Sequence, residues 1–219
     1  MYRSVWVFGY PVGPVLFSAA QTLFSLAETQ QLNQWQARSK PEIASSSTVN
    51  NTGLSSRTEN WQKPVIGELK CNVDATIFAE DNKFGVGACV RDENGVFRSA
   101  KTMWFYGSPS PLEAEAMGLL QSLRFIIEKN FTSVVIELDC QAVVNGITHN
   151  LYLNNDVGVI LSLCKNILNQ FPSYRISYIR RQANLVAHSL ARASKFYARS
   201  HYYDFSPSCI TTIIDNEMI

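Results

Sequence analysis

No two of the five cysteines form a Cys-x-x-Cys pair; Cys71, Cys89, Cys140, Cys164 and Cys209 are scattered along the chain. That spacing argues against a structural zinc site and against a disulfide framework. Cys71, Cys89 and Cys164 lie in apolar segments and read as core packing. A reducing compartment, nucleus or cytoplasm, is the expectation. An excess of charge of one sign is also lacking. The formal net charge is +1, so any footprint for a polyanion must be local. Uninterrupted apolar runs are scarce as well. Residues 5–20 are apolar, but Gly9, Pro11, Gly13 and Pro14 break them up, which makes a poor spanning helix. The stretch reads as a weak targeting sequence or the remnant of an upstream region. No membrane association is expected, and the chain is expected to act as a monomer.

What is present is an ordinary globular balance: 219 residues, 46% hydrophobic and 17% charged. Residues 18–38 carry Leu23, Leu26, Ala27 and Leu32 at helical spacing. Residues 39–60 are rich in Ser, Thr and Asn and read as a disordered linker. The organisation expected is a helix and linker over 1–60, a folded domain over 61–198 and a tail over 199–219.

Within the domain, 70–79, 83–91 and 96–105 read as strands, joined by Glu80-Asp81-Asn82 and by Asp92-Glu93-Asn94-Gly95, a strong turn signal. Pro109 and Pro111 open a helix with Leu112, Ala116, Leu119, Leu120, Leu123 and Ile127 on one face. Residues 134–138 form a short buried strand, followed by helices over 140–149 and 157–171. Residues 174–180 form a fifth strand and 183–198 a last amphipathic helix. The order β-β-β-α-β-α-α-β-α predicts an α/β fold. Its five-stranded mixed sheet is an antiparallel meander of three strands, then two parallel strands, flanked by helices.

Asp74 stands inside an otherwise β-rich run, where a bare buried carboxylate costs several kcal/mol or more and has no capping role. If the first and fourth strands are parallel neighbours, Asp139 at the end of the fourth approaches Asp74. Glu115 borders the core-facing stripe of the long helix and can reach the same spot. Three clustered carboxylates repel one another, and the usual remedy is a hard divalent cation. Each acid also has a plain structural reading: Asp139 as the N-cap of the next helix, Glu115 as a first-turn charge on its helix dipole.

The motifs in register are Trp61…Pro64…Lys70-Cys71-Asn72-Val73-Asp74, Gly85-Val86-Gly87-Ala88-Cys89-Val90-Arg91-Asp92…Gly95, Ala114-Glu115-Ala116, Val135-Ile136-Glu137-Leu138-Asp139-Cys140 and Asn184-Leu185-Val186-Ala187-His188-Ser189-Leu190-Ala191. Over 61–198 the chain resembles a type 1 ribonuclease H domain, in the retroelement-derived, reverse-transcriptase-like form abundant in plant genomes. The resemblance implies an endonuclease that cleaves the RNA strand of RNA–DNA hybrids with two Mg²⁺ ions held by four carboxylates. Asp74, Glu115 and Asp139 match three of them, the Ala-Glu-Ala match selecting Glu115 over Glu113. His188 stands where the fourth acid belongs. It also implies nucleic-acid contacts from Asn72, Ala75, Arg180, Arg181 and Asn184, with Ala75 replacing the family's glycine. An imidazole suits softer ions than Mg²⁺, so slower cleavage in Mg²⁺ and better cleavage in Mn²⁺ are expected. The alternatives are a nucleic-acid-binding module whose chemistry is weakened at His188, or an interaction domain whose acids serve as caps. Arg175, Arg180, Arg181, Arg192, Lys195 and Arg199 form the one local basic cluster, able to track phosphates or simply to be solvated surface.

Overall fold

The computed structural model describes residues 5–7, 10–12, 60–149 and 155–218. The expected helix over 18–38 and residues 39–59 of the expected linker lie outside the described residues. Two units divide the chain, Met1–Lys40 and Pro41–Ile219. In the first, β1 (Val5–Val7) and β2 (Tyr10–Val12) pair antiparallel, with Val5 opposite Val12. Part of the interrupted apolar stretch is therefore extended chain.

The second unit is built from β3 (Leu69–Phe78), β4 (Lys83–Arg91), β5 (Phe97–Tyr106), α1 (Pro111–Glu128), β6 (Val134–Leu138), α2 (Gln141–Thr148), α3 (Asp156–Gln170), β7 (Tyr174–Tyr178), α4 (Leu185–Ala193), β8 (His201–Tyr203) and α5 (Ser208–Glu217). The sheet order is β7-β6-β3-β4-β5-β8. β3, β4 and β5 form the antiparallel meander; β6 lies parallel to β3 and β7 parallel to β6. The turn between β4 and β5 works as its residues dictate. Asp92 Oδ1 accepts from the Asn94 and Val96 N–H groups at 2.9 and 3.0 Å, and Gly95 takes φ +80°, a conformation without steric cost only for glycine.

The sheet has six strands, not the five expected. The sixth, β8, pairs Tyr203 to His201 with Ala100 to Thr102 of β5 and covers an edge that would otherwise be bare. α5 follows it, and Ile210 and Ile214 join Cys89, Ala100, Val186, Leu190 and Tyr203 in one buried cluster. A three-residue strand is too short to show a period, and α5 buries only Ile210 and Ile214, so 199–219 reads as an unpatterned tail.

The two faces of the sheet are covered differently. α1 opens with a capping box between Ser110 and Glu113, which gives Glu113 a structural role. A Cβ placed on Gly118 of α1 would lie 3.6 Å from Val73 and 3.7 Å from Ala75, so α1 packs on the face that carries those residues. The alternate residues Asp74 and Thr76, opposite Gly87 and Gly85 in the register, point to the other face, under α4. There the backbones nearly touch: a Cβ on Gly87 would collide with Ala187 O and Ala191 N, and one on Gly85 with Ser194 Oγ and Ala191 O. Glycine is required at both positions for α4 to sit directly on β4. Among the described residues no helix is long and apolar enough to cross a membrane.

Candidate active site

β6 stops at Leu138, opposite Val73, while β3 runs on to Phe78. Beyond Val73 one edge of β3 therefore has no neighbouring strand. Crevices outside the carboxyl ends of parallel strands are where α/β sheets bind ligands. Side chains fill the gap here. Asn184 Nδ2 donates to Val73 O at 2.8 Å, and the Ala75 backbone N–H bonds the Glu115 carboxylate.

Asp74, Glu115 and Asp139 converge at this edge. One carboxylate oxygen from each lies within 4.8 Å of the others. Asp74 is 1% exposed and the Asp139 side chain 8%. Neither plain structural reading holds. Cys140, not Asp139, is the N-cap residue of α2. The acid in the first turn of α1 is Glu113 rather than Glu115. Burial, then the charges of Asp74 and Asp139, push Glu115 up to about 9. Burial and Asp139 likewise raise Asp74, against the pull of His188 and Arg181. Asp74 Oδ1 and Glu115 Oε2 are buried without any hydrogen-bond partner. Buried acceptors of this kind are costly, and a hard cation bound through oxygen relieves both the repulsion and the missing bonds. The donor set is all oxygen and anionic, so it fits Mg²⁺ or Mn²⁺.

His188 projects from α4, which the two glycines bring down onto the sheet. Its Nδ1 lies 2.7 Å from Asp74 Oδ2. A carboxylate can only accept, so Nδ1 is the donor. Arg181 Nη2 sits 3.1 and 3.3 Å from the two ring nitrogens, and its Nη1 is 3.6 Å from Asp139 Oδ2. His188 thus contacts a carboxylate of the cluster and adds no ligand atom to it; the set of converging ligand atoms is the three acids.

The residues expected to meet nucleic acid divide into two groups. Arg180 and Arg181 are exposed and Ala75 is partly so. Asn72 and Asn184 are fully buried, and both carboxamides are engaged inside the protein. Asn72 Nδ2 donates to Glu137 Oε2 at 3.1 Å and to Asn184 Oδ1 at 3.2 Å; Asn184 Nδ2 reaches Asp139 Oδ1 at 3.3 Å. As placed, they support the site from beneath. Ala75 is in regular strand pairing opposite Val86, a conformation that needs no glycine.

Sequence reasoning missed the charges under this layer. Arg91 is 0% exposed. Its Nη2 donates to Asn72 Oδ1 at 2.7 Å, its Nη1 pairs with Glu217 of α5, and its guanidinium lies 3.4 Å over the Trp61 ring. Trp61 Nε1 and Lys70 Nζ both reach Glu137, at 3.0 and 2.8 Å. Like Asp74, Glu137 is an acid inside a β-rich run, which marks it as a residue in need of partners.

Comparison with known proteins bears on the family and the fold. Residues 72–194 match the family described as reverse transcriptase-like. An Arabidopsis thaliana protein bearing the name of a ribonuclease H protein is 24% identical over 164 residues, which is 74% of this chain and 26% of that protein; the chain thus spans about a quarter of its curated relative. The crystal structure of RNase H1 from the archaeon Halobacterium salinarum superposes with a TM-score of 0.55 at 19% identity, over 59% of this chain and 98% of that one. LC11-RNase H1, solved with an RNA/DNA hybrid, gives 0.52 at 15% identity over 57% and 95%. Identities this low speak to the fold alone.

Proposed function

The chain belongs to the reverse transcriptase-like family and has a ribonuclease H fold, and on that premise we propose that it hydrolyses the RNA strand of RNA–DNA hybrids as a divalent-cation-dependent endonuclease. One observation carries the reading. Asp74 and Glu115, each with a buried carboxylate oxygen that has no hydrogen-bond partner, converge with Asp139, one oxygen of each within 4.8 Å of the others, an arrangement with little purpose unless a cation is bound. Asp74, Glu115 and Asp139 would hold it. When bound in such a set, divalent ions supply a water nucleophile at neutral pH and neutralise charge on the phosphodiester.

The rest falls to the protein's own groups. His188 fixes one oxygen of Asp74, leaving the other without a hydrogen-bond partner. Asn184 holds Asp139 and caps Val73 O in the place of a missing strand. Arg181, exposed beside His188 and Asp139, offers a cation to an approaching phosphate. With His188 in the fourth position the site has one negative charge fewer, which weakens its hold on a second ion. Slow turnover in Mg²⁺ and faster turnover in Mn²⁺ are the consequence. The His188–Asp74 bond also favours a second reading, a hybrid-binding module in which that bond has displaced most of the chemistry.

Cleavage of a labelled RNA–DNA hybrid by the wild type and by Asp74→Asn, in Mg²⁺ and in Mn²⁺, separates the two. The nuclease reading requires metal-dependent cleavage of the RNA strand that Asp74→Asn abolishes. Binding of hybrid with no cleavage in either metal supports the module.

A further inference from the structure

A pocket of about 790 Å³ opens beside the carboxylates, and neither the three acids nor the layer beneath them explains it. One wall is the same face of β3 that carries Asp74, continued through Thr76 to Phe78. The other is α4 and the turn after it, with His188, Arg192 and Lys195 roughly one helical turn apart and Phe196 next to Lys195. Asp74 to Phe78 along an extended strand is about 13 Å, so the pocket is a track leading away from the acids rather than part of their cluster.

The lining has a consistent chemistry. Arg181, Arg192 and Lys195 contribute cations, and no Asp or Glu lines it. Arg192 and Lys195 have no carboxylate partner among the described residues. Lys195 Nζ sits 5.6 Å from the Phe78 ring and 5.2 Å from the Phe196 ring. Phe196 is 78% exposed. A single exposed apolar side chain is unremarkable on a surface, but here an aromatic face stands at the mouth of a cationic groove. Deeper in, Thr76 Oγ1 is buried with no hydrogen-bond partner, so the wall holds an unused polar group.

Cations along a track with aromatic faces are the combination that holds unpaired nucleic acid: the cations follow phosphates and the rings stack bases. A duplex keeps its base faces stacked on one another and cannot offer them to Phe196. We infer that this pocket seats a short single-stranded extension of the RNA strand adjoining the cleaved phosphate. The enzyme would then prefer hybrids that end in, or are interrupted by, unpaired RNA. The inference rests on the nuclease reading only for which phosphate lies at the carboxylates.

The test uses the full chain. A fluorescent single-stranded RNA octamer is titrated by anisotropy over a range of salt, and cleavage is compared between a blunt hybrid and the same hybrid with an RNA extension. Phe196→Ala, at an exposed position, is expected to weaken octamer binding by about tenfold and leave the salt slope unchanged. The double variant Arg192→Ala/Lys195→Ala is expected to weaken binding and lower the salt slope by about 1.4. Both should remove the preference for the extended hybrid. Octamer binding that survives Phe196→Ala, or equal cleavage of the two hybrids by the wild type, overturns the pocket while leaving the nuclease reading in place. A wild type that cleaves neither hybrid, yet loses octamer binding with Phe196→Ala, overturns the nuclease reading and supports the pocket.

Discussion

His188 Nδ1 donates to Asp74 Oδ2 across 2.7 Å, between residues 114 positions apart in the chain. The bond occupies one oxygen of Asp74 and leaves Oδ1 unpartnered, and on the proposed reading His188 takes the position of a fourth carboxylate. His188→Asp is therefore expected to raise Mg²⁺-dependent hybrid cleavage and narrow the advantage of Mn²⁺, read as initial rates in each metal. Unchanged or lower Mg²⁺ rates would show that the imidazole is not the limiting feature. His188→Ala leaves a buried acceptor without its donor and should cost about 1–3 kcal/mol in urea unfolding.

Glu115 sets the response to pH. Its carboxyl loses a proton near 4.5 when unfolded and near 9 when folded. Between those values the folded state binds more protons than the unfolded state, so stability falls as pH rises. Asp74, also raised, adds to the same trend. Thermal melting without divalent ions should thus decline from pH 5 to pH 9, and Glu115→Gln should flatten that decline. Mn²⁺ or Mg²⁺ competes with the proton and should raise Tm more at pH 8 than at pH 5.5. Equal shifts at both values would mean the ions bind elsewhere.

Gly87 allows α4 to rest on β4. Gly87→Ala drives a methyl into Ala187 O and Ala191 N and to 2.7 Å from Leu190 Cβ. Overpacking of this kind costs about 1–3 kcal/mol. Because the displaced helix carries His188, hybrid cleavage should respond beyond the loss of folded protein. Activity measured far below the melting temperature separates the two effects.

Glu217 neutralises the fully buried Arg91. Removing one partner of a buried ion pair costs about 3–5 kcal/mol. Glu217→Ala should lower the urea midpoint markedly, whereas Glu217→Gln keeps a hydrogen-bond acceptor and should lose less. If both match the wild type, α5 is a dispensable appendage.

Five of the six strands of the sheet, the pairings among those five, and the three acids are legible in the sequence because each rests on a local pattern. Alternation and Asn94-Gly95 mark the meander, and an acid in a β-rich run marks Asp74. The layer beneath the site is not legible in the same way. Arg91 ends a strand with no local sign of burial; a glutamate 126 positions later, the Asn72 carboxamide and the Trp61 ring make its burial tolerable. The family resemblance makes Asn72 and Asn184 candidates for nucleic-acid contact, and long-range packing turns both inward. Gly85 and Gly87 were visible as strand glycines, but their reason lies in α4, about a hundred residues on.

The overhang of β3 beyond the end of β6 also imposes an order of assembly. During synthesis the three carboxylates emerge before α4 exists, so Asp74 lacks His188, Val73 O lacks Asn184, and the bare strand edge is open to any other strand. Contacts this distant in sequence carry a large loop-closure cost. The side chains around the carboxylates and the cover over the strand edge are therefore completed together, once the helix has been made and has settled onto its glycines.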